Sequence, residues 1–178
     1  AKQWVREMVE RDSNHPCIIG WSVGNELSGH YDYVEELIRY VKSELDAHRL
    51  VSCVSNTGHR RTETPENDPL GLSDLILQNC YMPTPDGMIE PIRSKWPKKP
   101  MFFSEFGLGK LTETSLDGDL PGLSEWYSHI RGQNTFVVGA ALWTYNDYRS
   151  GYTQTLVDEN RAWGLVNVWR DKRRLFER

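Results

Sequence analysis

Along the chain, stretches with apolar residues every third or fourth position alternate with short, continuous apolar runs. Trp4, Val5, Met8 and Val9 recur at helical spacing over residues 2–12, and Asp12, Ser13, Asn14 and Pro16 then break the pattern. CIIGWSVG (17–24) follows. It is too short for a helix and rich in β-formers, which predicts a strand buried on both faces, ending at Asn25-Glu26. Tyr33, Val34, Leu37, Ile38, Val41 and Leu45 mark the clearest amphipathic helix, over 31–48, and LVSCVS (50–55) predicts a second strand. A polar loop with Pro65, Asn67, Asp68, Pro69 and Gly71 leads to a third, SDLILQNCY (73–81). Pro83, Pro85, Gly87 and Pro91 surround a short helix near 89–95, which the run Pro97 to Pro100 stops. MFFSEFG (101–107) is strand four, and a loop with Gly109, Gly118, Asp119 and Pro121 precedes a helix at 122–133. VVGAALWTY (137–145) is strand five. From Asn146 a long aromatic-rich loop runs into the basic segment WRDKRRLFER.

Buried strands alternating with helices predict an α/β fold with a parallel sheet, either a barrel or a doubly wound sheet. Polar residues gather at the carboxyl ends of the strands: Asn25-Glu26, Asn56, Tyr81, Glu105, and Trp143 through Asp147. That is where a barrel places its chemistry. No GxGxxG or GxxxxGK[ST] supports dinucleotide or nucleotide binding. A full (β/α)8 barrel takes about 250 residues. Five strands therefore predict the later part of one, roughly strands four to eight with their helices, cut from a longer polypeptide.

Composition narrows the partners. The 178 residues are 38% hydrophobic and 26% charged, a globular balance, and the net charge of −4 argues against nucleic acid or an anionic membrane as partner. The first ten residues lack the apolar run of a signal peptide, so localisation is left unassigned. Cys17, Cys53 and Cys80 have no CxxC spacing and sit in apolar runs, which predicts buried free thiols. The five histidines show no metal-binding spacing, and no cofactor is identifiable. The basic run Arg170, Lys172, Arg173, Arg174 and Arg178 reads as a solvated helix end rather than an anion site, and Asn146 and Asp147 are weaker candidates for the cleft.

Two glutamates each close an apolar strand: Glu26 after GWSVGN and Glu105 after PMFFS. A single strand-end glutamate also reads as a helix cap or ion pair, but two in aromatic company match retaining glycoside hydrolysis. There one carboxyl protonates the leaving oxygen and the other attacks the anomeric carbon, at a separation of about 5–5.5 Å.

HPCIIGWSVGNEL, KPMFFSEFG, NCYMP, ALWTYNDY and RAWGLVNVWRDKR together resemble glycoside hydrolase family 2, the β-galactosidase and β-glucuronidase family, over nearly the whole chain. The resemblance implies that residues 1–178 form the C-terminal part of its TIM-barrel catalytic domain. It makes Glu26 the general acid/base, Glu105 the nucleophile, and Asn25 the partner of the sugar 2-hydroxyl. Tyr81 supports the nucleophile and Trp143 forms a wall of the sugar site. Trp21 is expected to give Glu26 apolar surroundings.

The resemblance also has gaps. Strands one to three, which carry metal ligands in some β-galactosidases, have no counterpart, so a metal is not assigned. Glucuronidases of the family read the sugar carboxylate with an Asn-x-Lys pair. Here the stretch is Asn160-Arg161-Ala162, which disfavours glucuronides. Some β-galactosidases carry a histidine three residues after the nucleophile, where this chain has Leu108. The expected substrate is therefore a terminal β-galactoside on family frequency, with β-mannoside and β-glucuronide as alternatives. Unpaired edges of a half-barrel predict negligible hydrolysis by the isolated segment and self-association into a homo-oligomer. The non-catalytic alternatives are an inert half-barrel and a carbohydrate-binding subunit.

Overall fold

A computed structural model describes residues 1–62, 64–82, 84–107, 123–133, 135–151, 160–173 and 176. Helix α1 (Lys2–Asp12) buries Val5 and Val9 and ends before the Ser13–Pro16 cluster. Strand β1 (Gly20–Ser22) leads to α2 (Tyr31–Tyr40), which buries Val34, Leu37 and Ile38. A π-helical turn, Val41–Leu45, takes over where a single helix to residue 48 was expected. Then come β2 (Leu50–Ser52), a 3-10 turn (Pro69–Leu72), β3 (Ile76–Cys80), α3 (Asp86–Lys95) and β4 (Met101–Phe106). Helix α4 (Leu123–Gly132), β5 (Val137–Leu142) and a short antiparallel pair, β6 (Tyr148–Arg149) with β7 (Asn160–Arg161), complete the order. Pro83, Leu108, Gly109, Gly118, Asp119, Pro121, Arg174 and Arg178 lie outside the described residues.

The five longer-range strands run parallel and in chain order. Gly20 to Ser22 pair with Leu50 to Ser52, a bridge from Val54 to Leu77 links β2 to β3, and β3, β4 and β5 continue the series. Helices fill three of the four crossovers and the 3-10 turn occupies the fourth. Among the described residues β1 pairs only with β2, and β5 only with β4, so the strands form an open arc. This is the α/β partial barrel that the sequence pattern predicts.

The arc has two unlike faces. Outward, Phe103 and Phe106 of β4 pack on Trp126 of α4, with ring centroids 4.9 and 4.6 Å apart. Inward, Phe102, Leu77 and Leu75 line an apolar groove with Ile19 and Leu50, which remain 73% and 40% exposed. The first strand is thus not buried on both faces, because its inner side opens onto a groove that the arc does not close. Cys17 departs from expectation for a related reason. It lies in the turn before β1, outside the regular strand, and is exposed, whereas Cys53 and Cys80 are buried. Burial pushes the Cys53 thiol up to about 11.

A buried ion pair ties this sheet to its first helices. Asp46 accepts hydrogen bonds from Trp21 Nε1 (3.0 Å), Arg49 Nη1 (2.7 Å) and the backbone N–H groups of His48 and Arg49. Arg49 also donates to the carbonyls of Ile18 and Ser13 at 2.8 and 2.7 Å, closing the loop between α1 and β1. Burial alone would raise the Asp46 carboxyl. The hydrogen bonds from Arg49, Trp21 and the backbone outweigh it and hold the group well below the usual carboxylate range. Asp46→Ala is expected to cost about 2 kcal/mol of stability, measured by chemical denaturation near pH 7, because it leaves the buried Trp21 Nε1 and the half-buried Arg49 guanidinium without their acceptor. Since the folded-state pKa is depressed, Asp46's contribution is complete above the unfolded carboxylate range and fades as pH falls. The gap between wild type and variant should therefore narrow between about pH 5 and 2.

Candidate active site

Parallel strands deliver all their carboxyl ends to one side of the arc, and the polar residues collect there. Asn25, Glu26, Tyr81, Glu105 and Trp143, the five residues expected from the sequence, line one cleft of about 380 Å³ together with Tyr148, Arg161 and Trp163. Glu26 lies just beyond β1 with a φ of 52°, in the left-handed region that is costly for a residue bearing a Cβ. Such backbone is commonly held at functional sites.

A break in strand register sets the second carboxylate. Gln78 pairs with Phe103, but Asn79 pairs with Glu105, so β4 carries one extra residue there. The alternation of burial along β4 skips at the same point, leaving Ser104 and Glu105 both half-buried between Phe103 and Phe106. Bulges of this kind re-aim side chains beside sites. Glu105 then accepts a 2.6 Å hydrogen bond from the Tyr81 hydroxyl. Ser104 donates to Asn79 Oδ1 at 2.7 Å, which orients the Asn79 amide so that Nδ2 faces Glu26 Oε1 and Asn25 Oδ1, both at 3.2 Å. Asn56 Nδ2 holds the Glu26 carbonyl at 2.9 Å. Each glutamate thus has its own donor, Asn79 of β3 for Glu26 and Tyr81, just after β3, for Glu105.

The tail after β5 builds the other wall. Across the two segments 143–147 and 163–166, the Thr144 N–H donates to the Trp163 carbonyl and the Leu165 N–H to the Thr144 carbonyl, with Val166 donating to Tyr145 and Asp147 to Val166. Asp147 is buried and clamped by Arg173 at 2.5 and 2.6 Å. Asp147 therefore holds the tail together and does not line the cleft, and Arg173 is its partner rather than part of a solvated end. Trp143 Nε1 donates to the Tyr148 hydroxyl at 3.1 Å. Arg161 Cζ lies 5.2 Å from the Trp163 ring centre, and Trp163 meets Tyr81 edge-on at 5.8 Å. Trp21 does not border the cleft. Its indole is drawn to Asp46 on the other side of β1.

Asn79, Ser104, Tyr148, Arg161 and Trp163 were not singled out as site residues from the sequence. Asn79 carried a usable signal, since it stands two residues before Tyr81 and strand alternation puts such pairs on one face. Among the described residues, no group of three or more His, Cys, Asp or Glu side chains is gathered as a metal would need.

The family model for glycosyl hydrolases family 2, TIM barrel domain, matches residues 1–168. The chain belongs to that family. Among family 2 members, the human beta-glucuronidase is 28% identical across 89% of this chain, and the Streptococcus agalactiae beta-glucuronidase 25% identical across 84%. The chain spans 27% of the human enzyme and 28% of the streptococcal one. A family 2 beta-galacturonidase from Eisenbergiella tayi, solved with galacturonate, superposes on 99% of the chain with a TM-score of 0.77 at 21% identity, covering 34% of that protein. The Ruminococcus gnavus beta-glucuronidase in complex with uronic isofagomine gives 0.76 at 21% identity over 96% of this chain and 32% of its own. These two likenesses establish the fold.

Burial raises the Tyr81 phenol, and the hydrogen bond to Glu105 with the charges of Glu105 and Glu26 raises it further, above the ordinary tyrosine range. NMR titration of tyrosine labelled at Cζ should show Tyr81 still protonated where exposed tyrosines have ionised. Glu105→Gln should bring its titration down.

Proposed function

We propose that this cleft hydrolyses terminal β-glycosides with retention, with residues 1–178 forming the C-terminal part of the catalytic barrel. The observation that carries the reading is that two strand-end carboxylates line one cleft while each is held by a different donor. Glu105, oriented by the Tyr81 hydroxyl, attacks the anomeric carbon. Glu26, oriented by Asn79, protonates the leaving oxygen. In the second step Glu26 takes a proton from the water that attacks the glycosyl-enzyme. Asn25 meets the sugar 2-hydroxyl, and the half-exposed indole of Trp143 offers a flat apolar face to the C–H side of the ring. A purely carbohydrate-binding role would leave the paired carboxylates without a task. The galactoside preference drawn from family frequency has no residue of the cleft behind it, whereas the two curated relatives above are named for glucuronides.

In the complete polypeptide, Glu105→Ala should abolish turnover of every substrate. Glu26→Ala should impair substrates with poor leaving groups most, and azide should rescue it to a β-glycosyl azide. Azide with Glu105→Ala should give the α-azide, and the reverse pattern of products would exchange the two roles.

Asn79→Ala is expected to act through Glu26. It should lower kcat about 10- to 100-fold for alkyl glycosides and much less for dinitrophenyl glycosides, at the size of one lost hydrogen bond to a charged group. Ser104→Ala should do the same more weakly. A uniform loss across leaving groups would instead mark Asn79 as merely structural.

A further inference from the structure

We propose that Tyr148 is a substrate-recognition residue of the cleft, whose phenol donates a hydrogen bond to an equatorial ring hydroxyl of a sugar lying on Trp143. The inference deepens the glycosidase reading above and rests on it. Tyr148 lines the cleft with Glu26 and Glu105 and is half-buried. Its hydroxyl oxygen already receives two N–H donors, Trp143 Nε1 at 3.1 Å and Arg161 Nη1 at 3.4 Å. An indole and a guanidinium can only donate, so the phenol oxygen is the acceptor in both contacts. The phenol's own proton is left for a third partner, and among the described residues no acceptor takes it. The two carboxylates of the cleft draw their side-chain hydrogen bonds from Asn79 and Tyr81 instead.

The phenol is also positioned. Tyr148 stands on β6 directly opposite Arg161 of β7, so a strand pair fixes its backbone, and its ring lies nearly perpendicular to Trp143, at 81° with centroids 5.8 Å apart. An indole N–H points outward in the plane of its ring. The Tyr148 hydroxyl therefore stands beyond the rim of Trp143 and does not cover its face. A pyranose lying on that face with its C–H groups toward the indole sends its equatorial hydroxyls out past the rim, and the one on the Nε1 side passes above the phenol. Two donors on one oxygen polarise the O–H bond and make it a better donor in turn. With the 2-hydroxyl assigned to Asn25, the 3- and 4-hydroxyls remain as acceptors. A site built to hydrogen-bond a hydroxyl rejects the analogue without it more strongly than an apolar pocket would, so Tyr148 reads the configuration at one ring carbon.

The test uses the complete polypeptide. Nitrophenyl β-glucoside, β-galactoside, β-mannoside and β-glucuronide identify the sugar cleaved best, and the 3-deoxy and 4-deoxy analogues of that glycoside follow. Y148F keeps the ring against Trp143 and removes only the hydroxyl. It is expected to lower kcat/KM about 3- to 10-fold on the parent glycoside, the size of one neutral hydrogen bond, and to leave one of the two deoxy analogues unaffected. The spared analogue identifies the hydroxyl that Tyr148 reads. An equal loss on the parent and both analogues marks the tyrosine as structural and overturns the proposal, as does no loss on any of them or the sparing of an axial position. Calorimetric binding of the corresponding nitrophenyl 1-thio-β-glycosides, which resist hydrolysis, separates the proposal from the glycosidase reading. If nothing is hydrolysed but Y148F weakens binding of a thioglycoside and spares one deoxy analogue, the Tyr148 contact stands and the catalytic reading falls. Hydrolysis with a uniform effect of Y148F does the opposite, and a protein that neither binds nor cleaves the panel sinks both.

Discussion

Two carboxylates that repel each other occupy one small cleft, and the rest of the site is organised around keeping them there. Neither is left to solvent alone: the amide of Asn79 faces Glu26, and the phenol of Tyr81 faces Glu105. The donors come from one strand, β3, and from the residue that follows it, so a single element between the two glutamates orients both. Ser104 completes the arrangement by donating to the Asn79 Oδ1, the end of the amide turned away from Glu26. A side-chain amide that turned over would present an oxygen to a carboxylate that can only accept, so Glu26 draws Nδ2 toward itself and the serine hydroxyl donates to the oxygen at the other end.

This arrangement needs parallel strands. Their carboxyl ends share one side of the sheet, so Glu26, Tyr81, Glu105 and Trp143 meet although they stand far apart in sequence. The bulge in β4 then turns Glu105 toward the cleft while Phe103 and Phe106 keep their places on Trp126. The tail meets a different constraint, since it has only two-residue strands to hold it. The Asp147–Arg173 clamp and the close approach of Gly164 take up that task. A Cβ at Gly164 would stand 2.3 Å from the backbone of Asn146 and Asp147, so only glycine allows the two segments to lie this close.

How much of this was legible in the sequence follows from the range of each interaction. The helices, the order of the strands and the two strand-end glutamates are written in local periodicity, and they stand within a few residues of expectation. The strands themselves are shorter than the apolar runs that predict them, because hydrophobicity marks burial and the ladder of hydrogen bonds needs a partner in register. Cys17 and Trp21 show the same limit. Both lie in the apolar run CIIGW, yet one is exposed and the other turns to Asp46, a residue 25 positions away whose role no local pattern announces. Asp147 looked like a cleft residue because it follows a strand end, but its buried pairing with Arg173 depends on the tail folding back.

The cleft has two walls that are held in different ways, one by the strands and one by the tail. Glu26, Asn79, Tyr81 and Glu105 are placed by the parallel sheet, where a change in backbone would disturb the core packed beneath it. Tyr148, Arg161 and Trp163 are placed by a short antiparallel pair and a few backbone hydrogen bonds outside that core. A substitution in the tail can therefore alter the charge and shape of one wall without moving either glutamate, whereas a substitution in β3 or β4 affects both at once. The join between the two parts is the contact of Trp163 with Tyr81, through which a change in the tail wall would first reach Glu105.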